Sequence, residues 1–104
     1  GTVYDTMEYR PEEVERIVKS HAAVYDALVV GMPNERWGQQ VTAVMALAPG
    51  CAVPALDELR AHCAPHLADY KLPKGIVVVP EIVRSPNGKP DYEWAKRAAV
   101  AAGA

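Results

Sequence analysis

Apolar residues recur at helical spacing early in the chain: Val14, Ile17 and Val18 fall on one face, with Glu15, Arg16 and Lys19 on the other. Pro11 suits the first helical position, and Glu12 and Glu13 favour the positive end of the helix dipole. The pattern predicts a helix from Pro11 to near Ser20-His21. Val24 to Val30 (VYDALVV) is rich in strand formers, and Gly31-Met32-Pro33-Asn34 predicts a turn after it. Val41 to Leu47 (VTAVMAL) predicts a second strand, closed by Pro49-Gly50. The short connection between the two strands favours an antiparallel pair.

Pro54 opens a second helical pattern, with Leu56, Leu59, Cys63 and Leu67 along one side. Pro65 interrupts it, since proline removes a backbone donor and clashes with the preceding turn. A break is expected there, with a last turn ending near Asp69. Gly75 to Val79 (GIVVV) is almost wholly apolar and predicts a short third strand, central or covered on both faces. Asp91 can cap a final helix that packs through Trp94, Ala95, Ala98 and Ala99, and Ala98 to Ala104 is expected to end as an alanine-rich tail. The fold class is α+β: a small three-stranded sheet packed by about three helices, in the order α-β-β-α-β-α. Residues 1–9 lack a clear period and are read as an irregular N-terminal segment, either a linker or foreign to the domain. Residues 10–104 are read as one domain.

Composition narrows the function. A chain of 104 residues suits one domain and buries roughly 65% of its unfolded surface. Half its residues are hydrophobic, 23% are charged, and the formal net charge is −2 with acids and bases interspersed. No dense basic face is available for nucleic acid. No apolar run approaches the ~20 residues that span a bilayer. Cys51 and Cys63 make a poor disulfide framework and are read as two reduced, buried thiols of a cytoplasmic protein.

Three constellations could carry chemistry. His62 and His66 stand four apart, a metal-ligand spacing, but Pro65 disturbs the helix between them and no third ligand is obvious. They are read as surface histidines, and no metal site is assigned. Gly88-Lys89 lacks the earlier glycine and the following Ser or Thr of a phosphate loop. The third is VRSPNGKPDY, Val83 to Tyr92. Pro86, Asn87 and Gly88 favour a tight turn in which Asn or Gly takes positive φ, Pro90 fixes the next backbone, and Asp91 starts a helix. Lys89 is thus held out on a loop set from both sides. By spacing alone, an ordinary exposed turn lysine is the better account of it.

The combination of PEEVE, VVGMPNERWGQ, LADYKLPK and SPNGK, in this order and at these intervals, closely resembles the C-terminal domain of the adenylate-forming enzymes, most like the acyl-CoA synthetases. The resemblance runs from about Arg10 to Lys96. It implies a mobile lid that works with an N-terminal adenylation domain of the same polypeptide. In such enzymes a carboxylic acid, here most like a fatty acid, attacks ATP to form an acyl-adenylate, and CoA then takes the acyl group as a thioester. Mg²⁺ is expected in the complete enzyme, bound outside this chain. The isolated chain is expected to be inactive.

The resemblance further implies that Lys89 is catalytic, reaching across during adenylation from a mobile perch. Trp37, Tyr70 and Lys74 match places where some members contact the nucleotide end of CoA, with Lys71 a further basic candidate. An aromatic face can stack on adenine and a lysine can pair with a phosphate. The structural alternatives are that Trp37 covers the sheet and that Tyr70 to Pro73 fixes the start of the third strand. Members usually carry a glycine-rich loop before the first helix. The stretch YDTMEYRP has no paired glycines, only Glu8 and Pro11 fit, and no hinge residue is assigned. A reading of a different class is a non-catalytic interaction module of the same fold.

Overall fold

The computed structural model describes residues 10–34 and 38–103. Helix α1 runs Pro11–Lys19, strand β1 Val24–Asn34, strand β2 Gly38–Leu47, helix α2 Leu56–Cys63, strand β3 Gly75–Val78 and helix α3 Tyr92–Ala101, with a short 3₁₀ turn at Asp69–Lys71. The order is the predicted α-β-β-α-β-α. β1 and β2 pair antiparallel, while β3 joins β2 in parallel, so the sheet is mixed and its order is β1-β2-β3.

Each face of the sheet has its own core. Val14, Ile17 and Val18 of α1, with Leu59 and Cys63 of α2, pack on Ala27, Val29, Ala43 and Met45. On the opposite face Ala95 and Ala99 of α3 cover Leu28, Val30, Val44 and Val77. The two sets alternate along β1 and β2, as the period of two in a strand requires. Small Ala95 and Ala99, both fully buried, let α3 approach the sheet closely.

Several local expectations need correction. β3 is an edge strand, not a central one: after the crossover through α2 it pairs in parallel with the side of β2 opposite β1, which leaves β2 in the middle. Ile76 and Val77 do pack on opposite faces, but Val78 is 47% exposed. The turn expected at Gly31 to Asn34 is strand instead. Pro33 fits because it shares the parity of Val29, whose N–H points away from β2, so no ladder donor is lost. β2 likewise begins earlier, at Gly38. α2 starts at Leu56, two residues beyond Pro54, and its end at Cys63 places Pro65 outside the helix. The alanines to Ala101 are helical, because Ala99 is anchored in the core. Cys63 is buried, but Cys51 is exposed in the segment before α2; both are free.

Candidate functional site

The segment carrying Lys89 forms a small hairpin whose shape follows from its residues. Arg84 and Pro90 pair as an isolated antiparallel bridge. The Ser85 N–H donates to the Lys89 carbonyl at 2.9 Å, and the Gly88 N–H to the Ser85 carbonyl at 2.8 Å. Pro86 presets the turn, and Gly88 takes φ +83°, the left-handed conformation that glycine adopts without strain. The Ser85 hydroxyl donates to the Asn87 side-chain oxygen and accepts the Lys89 N–H at 3.1 Å. The lysine's main chain is therefore fixed. Its side chain is exposed, and among the described residues no ion pair engages it.

Both roots of this hairpin are tied to β1. Arg84 Nη2 donates to Asp26 Oδ1 at 2.7 Å and Nε to Oδ2 at 3.3 Å, a two-pronged pairing that only a guanidinium offers. The pairing holds the Arg84 pKa above its ordinary value. On the other root, the Tyr92 hydroxyl donates to Glu15 Oε2 at 2.9 Å, and the Val29 N–H donates to that same oxygen at 2.9 Å. Glu15 was expected on the solvent face of α1, yet it is buried. It lies on the flank of the apolar stripe and reaches over the open edge of β1, where Val29 has a donor that β2 does not use. Burial pushes the Glu15 carboxyl up from its usual range, with the two hydrogen bonds acting the other way. Burial beside that carboxylate also drives the Tyr92 phenol well upward, so it stays protonated and donates. Asp91 caps α3 as predicted, accepting the Trp94 N–H at 3.0 Å.

The other candidates lie elsewhere. The Lys74 N–H donates to the Val41 carbonyl at 2.7 Å, at the start of β3, whereas Asp26 pairs with Ala46. From Val41 to Ala46, at about 3.4 Å per residue, these two points on β2 stand roughly 17 Å apart. Tyr70 is 40% exposed, with the Lys71 ammonium 5.8 Å from its ring centre and 2.9 Å from Glu13. The segment that follows is seated by buried Leu72 and Pro73, whose carbonyl accepts from Arg60 Nη1 at 2.7 Å. Trp37 lies outside the described residues, as do residues 1–9. His62 and His66 are not brought together: His62 Nε2 meets the Ser20 hydroxyl at 2.7 Å, and His66 is exposed. Among the described residues no group of three or more His, Cys, Asp or Glu side chains could hold a metal ion. Nor is any described helix long and apolar enough to cross a membrane.

Residues 13–89, which include the whole Lys89 turn, match the family model of the AMP-binding enzyme C-terminal domain. The chain belongs to that family. This AMP-binding enzyme C-terminal domain is 58% identical over 89 residues to the medium-chain acyl-CoA ligase Mig of Mycobacterium avium, covering 86% of the chain and 16% of that protein. It is 56% identical over 86 residues to the 3-oxocholest-4-en-26-oate–CoA ligase of Rhodococcus rhodochrous, covering 83% and 15%. Among solved structures it superposes on the acyl-CoA synthetase of Brucella canis with a TM-score of 0.78 at 31% identity, over 90% of this chain and 18% of that one. The amide bond synthetase McbA of Marinactinospora thermotolerans gives 0.75 at 34%, over 84% and 17%. The domain thus spans about one sixth of the length of the curated relatives it matches.

Proposed function

We propose that this domain is the closing lid of an acyl-CoA synthetase and supplies Lys89 to the adenylation of a carboxylic acid. The observation that carries the reading is the contrast at Lys89: a main chain fixed on both sides and an exposed ammonium at the hairpin tip. In the first half-reaction a carboxylate oxygen attacks the α-phosphorus of ATP, a new O–P bond forms, and pyrophosphate leaves. Two anions must approach, and a positioned cation offsets their repulsion and the charge of the transition state. An ammonium on a flexible stem can touch a carboxylate and a phosphate oxygen together. In the second half-reaction the CoA thiol attacks the acyl carbon, a C–S bond forms, and AMP leaves. Tyr70, Lys74 and Trp37 are the residues proposed to meet the nucleotide end of CoA. Any Mg²⁺ accompanying ATP would be held by the rest of the enzyme.

Because both roots of the hairpin are tied down, Lys89 withdraws by movement of the domain rather than of the loop. The relatives suggest a fatty or sterol-derived acid as the acyl substrate, since ligases for medium-chain acids and for 3-oxocholest-4-en-26-oate are among them. The test is pyrophosphate exchange by the complete polypeptide carrying Lys89→Ala. A loss of at least ~10²-fold is expected. An unchanged rate would replace this reading with a non-catalytic interaction module.

A further inference from the structure

The outer edge of β1 gathers two polar contacts that no core packing demands. Asp26 meets Arg84, fifty-eight positions along the chain. Glu15 meets Tyr92, seventy-seven positions along. Arg84 immediately precedes the turn that carries Lys89, and Tyr92 follows it after Pro90-Asp91. The Arg84–Pro90 bridge then joins the two roots to each other. The Asp26 and Arg84 side chains are 23% and 30% exposed, and their pairing is two-pronged. Its consequence is local: it fixes where the hairpin leaves the domain.

We propose that Arg84 and Tyr92 are positioning residues for Lys89, fastening the two roots of its hairpin to the edge of β1 through Asp26 and Glu15. This inference rests on the adenylation role of Lys89. An ammonium that must bridge two reactants gains from a fixed origin, because a displacement near 1 Å at a reacting centre can cost ~10² in rate. The guanidinium fork fixes direction as well as distance at one root. At the other, the Tyr92 hydroxyl shares one carboxylate oxygen with the Val29 main chain, so the hairpin is referred to the sheet itself. Arg84 and Tyr92 touch no reactant in this scheme and act only through the lysine.

The experiment uses the complete polypeptide and its two half-reactions, pyrophosphate exchange and thioester formation from supplied acyl-adenylate. Arg84→Ala is expected to lower the kcat of exchange between about 10- and 100-fold with KM for ATP unchanged, and to leave thioester formation at the parental rate. Adding Lys89→Ala to Arg84→Ala should be no slower than Lys89→Ala alone, since a residue acting through the lysine has nothing left to lose. The exchange of partners, Asp26→Arg with Arg84→Asp, should recover part of the rate. Asp26→Asn and Tyr92→Phe keep size and shape, and they decide the matter if Arg84→Ala does not fold. Equal loss in both half-reactions, or additive loss in the double variant, overturns the proposal. If Lys89→Ala abolishes exchange while Asp26→Asn and Tyr92→Phe leave it intact, only the positioning inference falls. If Lys89→Ala itself leaves exchange intact, the adenylation role falls and takes this inference with it.

Discussion

The Lys89 hairpin is aimed by directional contacts, the Arg84–Asp26 fork near Ala46 of β2 and the Tyr92–Glu15 hydrogen bond beside Val29, with Ile82 and Tyr92 also packed on the core. Nearer Val41, the segment from Tyr70 to Lys74 combines burial of Leu72 and Pro73 with polar contacts, Arg60 to the Pro73 carbonyl, Lys71 to Glu13 and the Lys74 N–H to the Val41 carbonyl. Hydrogen bonds are directional and fix an orientation, whereas apolar burial is not and fixes mainly a location. A side chain that must aim at a reacting centre profits from the first. A surface that only has to meet a nucleotide can rest on a mixture of the two.

The largest expected effect separates these two regions by half-reaction. Lys89→Ala should lower pyrophosphate exchange at least ~10²-fold, while Lys74→Ala should leave exchange alone and raise KM for CoA about 10-fold, the scale of one charge-assisted contact. If Lys74→Ala instead slowed exchange as severely as Lys89→Ala, the two regions would not serve different steps. The division of labour would then have to be abandoned.

The next effect concerns Glu15, where the polar suspension meets the core. Glu15→Ala leaves the Val29 N–H and the Tyr92 hydroxyl without their acceptor and should cost about 1–3 kcal/mol of folding stability. Glu15→Gln keeps an oxygen where both donors point and removes the charge. The folded-state pKa of Glu15 is raised above 4.5, so below that value folded and unfolded chains are both protonated. As pH rises from 4.5 through the raised value, the unfolded chain releases its proton first and the parental domain loses stability. The Gln variant lacks this loss, so its stability relative to the parent should increase across that window. Urea unfolding at several pH values measures it; a difference that stays flat with pH would mean that Glu15 carries no burial cost.

The same contrast between polar and apolar anchoring governs what could be read from the sequence. Val14, Ile17 and Val18, the β1–β2 pair, the Asp91 cap and the Pro86-Asn87-Gly88 turn were legible because each depends on neighbours a few positions away. Glu15 was assigned to solvent because periodicity registers polarity and not the unused donor of Val29, which exists only once β1 is an edge. The Asp26–Arg84 pair joins residues too far apart for any local pattern. GIVVV reads alike in a central strand and in an edge strand, so sheet order had to come from the fold. Lys89 stood out through its motif, and its anchors did not.

The smallest effect tests whether strain at the hairpin acts locally. Gly88 and Gly50 both hold positive φ, +83° and +77°, and a Cβ on either would meet nothing within 4 Å. Alanine at either position should therefore cost only the left-handed backbone, about 1–2 kcal/mol, with no clash added. Gly50 lies in the turn after β2, where the Cys51 N–H donates to the Ala48 carbonyl, and it is no part of the Lys89 hairpin or of the Tyr70–Lys74 segment. Gly50→Ala should lower the melting temperature and leave both half-reactions unchanged. Gly88→Ala carries the same backbone penalty in the turn that holds Lys89, so it should slow pyrophosphate exchange several-fold as well. Gly88→Asn should recover part of that rate, because asparagine tolerates the left-handed region better than alanine. Were Gly88→Ala to leave exchange as unchanged as Gly50→Ala does, the conformation of the turn would not be what aims Lys89.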